Sequence, residues 1–441
     1  MALVTAIGIY AYFTIKTAAD YYISGRRGNR WQITGSLFAT IMGGSAIMGT
    51  LELSQRAGWA AVWFLFSAAV GLLVLSAIST RVSKHGHFTL PELLLRYYGK
   101  PAEKAASLLI PIAWTGIVAA QIIAGAKILG SLASASYETG AVVSAAVFVL
   151  YTMAGGQKSI LKTDLLQAFI LVSGITMLVV LTYLNKSPID IHLLPMSSMV
   201  PKGIFNEAFS AVDLLMLLVT YSVTFVVGPD IYGRIFSSRS SSVARSSIVI
   251  TALLIIPTAV ALTYLGISVA QPSSGYDGFF LPGGEFLPPW GIGLITAALL
   301  AAVMSSADTT LLSSSTILAK LMGEDLTQRK SLRLTRLFIV GMGAAGLVIA
   351  LKVTSVLQSL LMGLSFFSGA FTLPILAGLA GWRVNQKFVL MAMFSGGSLA
   401  LAGKILTDSY GIQWGFMLTL AGFAINFLLL KIPERKPKIR A

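Results

Sequence analysis

Apolar residues run along this chain in long blocks separated by short polar or basic clusters, and the blocks set the architecture. A helix needs roughly 20 apolar residues to cross about 30 Å of hydrocarbon. Thirteen windows of that kind occur. Numbered from 0, they cover 2–19, 31–53, 58–80, 105–132, 137–154, 160–184 and 208–231, then 246–270, 290–321, 333–351, 355–380, 387–405 and 412–431. The pattern predicts an all-α polytopic membrane protein, a single membrane domain over 1–441. Composition agrees, with 56% hydrophobic and 11% charged residues and a mean hydropathy of +0.81. Soluble domains carry about 25% charge.

The net charge of +15 from 32 Lys and Arg against 17 Asp and Glu takes its meaning from where the cations fall. All but six cluster in alternate inter-span segments; Arg56, Lys127, Lys186, Lys202, Lys352 and Lys404 lie toward the opposite side. Cytoplasmic loops concentrate Lys and Arg, so the N-terminus is predicted outside and the C-terminus in the cytoplasm of a cell membrane. The same bias accounts for the charge without a nucleic-acid partner. The absence of cysteine excludes disulfides and thiol chemistry, and three histidines, His85, His87 and His192, argue against a zinc or haem centre. Residues 1–15 lack the basic n-region of a signal peptide and read as an uncleaved span. The loops 185–206 and 271–289 are poor in charge. The tail after Lys431 is too short for a signalling domain, and no protein partner is evident. Trp31, Trp59, Trp290, Trp382 and Trp414 fall at span ends, as interfacial anchors do.

Span 1 places Gly43-Gly44-Ser45 at mid-bilayer. A glycine pair there either allows close helix packing or opens the backbone, which is tolerated at that depth only beside a cavity. Span 8 carries Ser305, Ser306, Asp308, Thr309 and Thr310 in an apolar stretch. Helical spacing puts Ala302, Ser305, Ser306 and Thr309 on one face. Hydroxyl and carbonyl oxygens are the hard ligands of a small cation, and a carboxylate within a span is a functional hypothesis by default. The competing reading has these hydroxyls bonding their own helix. Asp164 in span 5 falls near the depth of Asp308, where two carboxylates would share a cation or a proton; alternatively Asp164 pairs with Lys158 or Lys162. Span 6 carries Thr220, Ser222 and Thr224 near its centre, and span 3 carries Gln121 and, toward the outer face, Lys127. Lys127 either snorkels to the headgroups or faces an anionic solute.

With these motifs in view, the chain resembles the sodium:solute symporters, the family of sodium–proline, sodium–glucose and sodium–sialic acid transporters. The stretches DYYISGRRGNRW, KTDLLQAFILVSG, PDIYGRIFSSRSSSVARSS and LLAAVMSSADTTLLSSS carry the likeness, from about Asp20 to Arg383. The resemblance implies a LeuT-type fold, a core of two inverted five-helix repeats over 31–185 and 186–382. Span 0 with its loop, 1–30, and the last two spans with the tail, 383–441, would be peripheral.

The resemblance further implies a sodium site between spans 1 and 8, with Ala39, Met42 and Ala302 giving carbonyls and Ser305 and Ser306 further oxygens. Some members hold another sodium between spans 5 and 8, where Asp164, Ser305, Asp308 and Thr309 fall here. Asp308 is acidic where relatives offer a hydroxyl, which opens the ion's identity to a proton. Gly43, Gly44 and Ser45, with Gln121, Lys127, Thr220, Ser222 and Thr224, fall in the solute region. The polar residues that sugar transporters use after the span 1 break are missing. The expectation is a sodium-coupled, alternating-access symporter, not an enzyme, importing a small organic acid or amino acid. Its alternatives are a proton-coupled symporter and a non-transporting membrane sensor.

Overall fold

The computed structural model describes residues 16–85, 89–133, 136–184, 203–268, 289–323, 325–410 and 413–432. Among the described residues it is all helix, with no strand beyond isolated bridges. Span 0 lies outside them save for its last residues, as do most of the loops 185–206 and 271–289 and the tail beyond residue 432.

A short helix α1 (Ala18–Ile23) leads into α2 (Arg30–Ile41) and α3 (Gly44–Ala57), the two halves of span 1. Next come α4 (Val62–His85), α5 (Pro91–Tyr98) and α6 (Lys100–Ala133). Spans 4 and 5 are the two halves of α7 (Tyr137–Leu184), which meet at a non-helical kink at Gly156. The left-handed φ of 56° there suits glycine, and a Cβ would stand 2.5 Å from the Tyr21 ring. Span 6 is divided into α8 (Ala211–Leu217), a π-turn (Leu218–Ser222), α9 (Val223–Val227) and α10 (Pro229–Ser237). The remainder are α11 (Ser241–Ser268), α12 (Pro289–Leu321), α13 (Ser331–Ala350), α14 (Val356–Leu379), α15 (Gln386–Tyr410) and α16 (Phe416–Leu430).

Burial follows the logic of a lipid solvent. Large apolar side chains such as Leu150, Phe169 and Leu337 are exposed, while Ser36, Ser305, Ser314 and Thr251 are fully buried. Most buried hydroxyls donate to a carbonyl one turn back, as Thr251 does to Ser247 at 2.8 Å. That removes the cost of an unpaired polar group where no water is available. All five span-end tryptophans are exposed, as interfacial anchoring requires.

Two of the motif stretches meet. The Gly28 amide donates to the Ser237 carbonyl at 2.9 Å, and the Arg239 amide donates to the Gly28 carbonyl at 3.0 Å. This clasp ties the loop before α2 to the end of α10. It thereby fixes the segment carrying Arg234 beside the first half of span 1.

Candidate functional site

Span 1 opens between Met42 and Gly43. The ψ of Gly43 is 172°, so the chain is extended there before α3 starts. In an unbroken helix the Ser45 and Ala46 amides would bond the Ile41 and Met42 carbonyls. Instead the Ser45 amide faces the Gln121 amide oxygen at 3.4 Å, and the Ala46 amide donates to the Gly43 carbonyl at 3.0 Å. Backbone oxygens are thus released from the helical ladder in the protein interior. Glycine at 43 is required by close approach, because an ideal Cβ would stand 1.9 Å from the Ser306 hydroxyl oxygen.

Helix α12 faces this break. Its hydroxyls divide into two groups, and the division decides between the two readings of the serine-rich run. Thr309, Thr310 and Ser314 bond carbonyls one turn back, to Ser305 at 2.9 Å, Ser306 at 2.8 Å and Thr310 at 2.5 Å. Ser305 and Ser306 reach across to other helices. The Ser306 hydroxyl donates to the Thr40 carbonyl at 2.6 Å, and the Ser305 hydroxyl donates to Asp164 Oδ1 at 2.6 Å. Ala39, Met42 and Ala302 are buried beside them.

Asp164 does not pair with a lysine of its own helix. Its cation is Arg234 on α10, with Nη2 at 3.3 Å from Oδ2 and both side chains 1% exposed. The Ser36 hydroxyl also donates to Oδ2, at 2.5 Å. Arg234 in turn donates from Nε to Ser36 at 3.0 Å and from Nη2 to Thr40 and Thr309, each at 2.5 Å. Lys158 is instead 3.9 Å from Asp20. Asp308 turns elsewhere, accepting from the Thr152 hydroxyl at 2.9 Å. Of the second expected cation set, Asp164 and Thr309 therefore meet one guanidinium and Ser305 bonds Asp164, while Asp308 faces the turn joining spans 4 and 5.

The expected solute residues fall into separate pairs. Gln121 Nε2 donates to the Ser45 hydroxyl at 2.7 Å, joining α6 to the first turn of α3. Lys127 lies 3.7 Å from Glu52 and is only 14% exposed, so its charge is met within the protein. Thr220 and Thr224 donate to carbonyls of their own segment, Met216 and Tyr221, each at 2.5 Å. Ser222 approaches α4, where a Cβ on Gly71 would meet its carbonyl at 2.1 Å. The π-turn at 218–222 stacks Tyr221 on Phe64 with ring centres 4.3 Å apart. Such turns recur at functional sites because they interrupt the regular ladder.

Comparisons with known proteins give the family and the fold. The sodium:solute symporter family profile matches residues 21–396. The Escherichia coli sodium/pantothenate symporter is 24% identical, over 97% of this chain and 94% of its own. The Salmonella typhimurium sodium/proline symporter is 25% identical over 97% and 91%. Among solved structures, a substrate-bound, outward-open sodium-coupled sialic acid symporter superimposes with a TM-score of 0.76 at 16% identity, covering 99% of this chain and 97% of that one. A nucleobase-cation-symport-1 family transporter gives 0.62 at 12% identity, covering 93% and 92%. The fold is the LeuT type, and the work is transport rather than catalysis. The chain belongs to the sodium:solute symporter family.

Proposed function

We propose that this protein imports a small polar solute with sodium by alternating access. One observation carries the reading: at the span 1 break the Thr40 carbonyl accepts from the buried Ser306 hydroxyl of α12, beside a second buried hydroxyl, Ser305, that likewise does not bond its own helix. Carbonyls of Ala39, Met42 and Ala302 with the hydroxyls of Ser305 and Ser306 supply hard, neutral oxygens. That chemistry suits an alkali cation that must bind and leave. Ser306 would release the Thr40 carbonyl when the ion enters, coupling occupancy to the position of α12 against the break.

The basic segments support an orientation with the N-terminus outside the cell membrane and the tail in the cytoplasm. Residues 31–185 and 186–382 then form the two inverted repeats. Gly43, Gly44, Ser45 and Gln121 lie where the solute would meet the α3 N-terminus, whose positive dipole end favours an anionic group. An organic acid or amino acid fits that end better than a sugar, and the relatives named for pantothenate and proline support this.

Asp308 favours one second reading. It is a buried carboxylate within α12 whose Oδ1 accepts from the Thr152 hydroxyl, and such a group can carry a proton. Thermal-stability titration of the purified protein with NaCl against choline chloride separates the two. A saturable sodium-specific rise that is lost in Ser306→Ala supports sodium coupling. Stabilisation that ignores sodium and follows pH overturns it.

A further inference from the structure

Asp164 and Arg234 are buried on helices whose sequences are far apart, and each is hydrogen-bonded by several partners. Asp164 uses both oxygens, Oδ1 for Ser305 and Oδ2 for Ser36 and Arg234. The guanidinium reaches Ser36, Thr40, Thr309 and Asp164, and its Nη1 donates to the Asp230 carbonyl at 3.2 Å. One carboxylate and three hydroxyls from α2, α7 and α12 therefore form an oxygen cage. That cage has the composition of a small-cation site, yet its contents are a cation anchored to α10.

We infer that Arg234 is the resident cation of the Asp164 cage, so that the protein binds and couples one sodium ion. This rests on the sodium reading above and sets its stoichiometry. A metal ion seated on Asp164 would face the guanidinium at contact distance, and two cations that close repel strongly in the poorly screened protein interior. The planar fork of arginine suits it to this place better than lysine, because it bonds several oxygens at once without giving up its charge. Arg234 and Thr309 also form part of the wall of a cleft lined by Tyr22, Asp230, Ser313 and Thr316, a wall in which Asp164 takes no part. Arg234 thus screens the carboxylate from ions entering that cleft. Asp308, turned to Thr152, lies outside the guanidinium's bonding.

Equilibrium binding of radioactive sodium to the detergent-purified full-length protein tests the inference without knowledge of the solute. Wild type should bind one sodium per chain with a hyperbolic isotherm. Arg234→Gln vacates the cage and should bind two, falling back to one in Arg234→Gln/Asp164→Asn. Arg234→Lys keeps an anchored charge and should remain at one. Two sodium ions on wild type overturn the inference, and that count depends on no variant folding. One sodium on a monodisperse Arg234→Gln protein overturns it as well. No sodium on wild type would instead overturn the sodium reading on which it rests.

Discussion

The Ser306 hydroxyl donates to the Thr40 carbonyl at 2.6 Å, joining α12 to the backbone that the span 1 break leaves without a helical partner. The bond marks where a cation would insert, because both oxygens would turn to the ion. Ser306→Ala removes one ligand and leaves the Thr40 carbonyl unpaired. An unsatisfied buried acceptor costs about 1–3 kcal/mol, so the sodium-free protein should melt earlier than wild type. The sodium-dependent rise in melting temperature should disappear. Both appear in one NaCl titration at constant ionic strength.

Gly43→Ala tests the same contact from the other side. The added methyl would stand 1.9 Å from the Ser306 hydroxyl oxygen and 2.6 Å from its Cβ. Neither distance is tolerable, so α3 and α12 must part. The variant should lose sodium-specific stabilisation even though every proposed ligand is retained. Gly43→Ala/Ser306→Ala should recover only part of the lost stability, since the Ser306 Cβ contact persists. Melting curves of the two single variants and the double variant give the comparison.

The helices are readable because a 20-residue apolar window has few other uses, whereas the Gly43-Gly44 pair is compatible with either close packing or a break in span 1. Helix α5 escapes such a window because its eight residues are too few to register against spans of that length. Arg234 falls between the windows of spans 6 and 7, where a cation registers only as orientation charge. A signal was present: Pro229 sits at the start of a helix, and an arginine inside the apolar run IYGRIF needs a buried partner. Ser36 and Thr40, one turn apart and so on one face of α2, were a second signal. What no local pattern could show is that residues 70 and 128 positions from Asp164 converge on it, since that depends on how the helices pack.

Lys127 and Glu52 offer a double-mutant cycle. Their side chains are 14% and 16% exposed and lie 3.7 Å apart, so either truncation leaves an unmatched, largely buried charge. Lys127→Ala and Glu52→Ala should each lower the melting temperature, and the double variant should lose less than the sum. A coupling of about 1 kcal/mol is expected for a partly shielded pair. Purely additive losses would show that Lys127 does not act through Glu52.

Asp20 gives the fold a pH dependence outside the membrane spans. Burial alone would raise its carboxyl, but the Thr17 and Lys16 amides, the Thr17 hydroxyl and the Lys158 charge outweigh this and hold it below the usual range. Each of the two amides lies 3.1 Å from Oδ2. A carboxyl lowered on folding adds stability above its unfolded value of about 3.9, and that stability fades as pH falls through the lower folded value. Asp20→Asn should therefore melt below wild type at pH 7. The gap should narrow as pH drops below about 4. A gap that stays constant across that window would mean that shape rather than charge holds α1 in place.

Asp308→Asn decides what the acidic residue of α12 contributes. The asparagine oxygen can still accept from Thr152, which donates to Oδ1 at 2.9 Å, so the local fold should survive. The hydroxyls of Ser305 and Ser306 bond Asp164 and the Thr40 carbonyl rather than Asp308. Sodium-specific stabilisation should therefore persist in Asp308→Asn with its midpoint shifted by less than about threefold, well under the 1.4 kcal/mol that a tenfold change represents. If the variant keeps its sodium response but loses a pH dependence that wild type shows, Asp308 carries a proton alongside a sodium site of its own. If the sodium response itself vanishes, Asp308 belongs to the sodium site, and the set formed by Ser305, Ser306 and the span 1 break is incomplete without it.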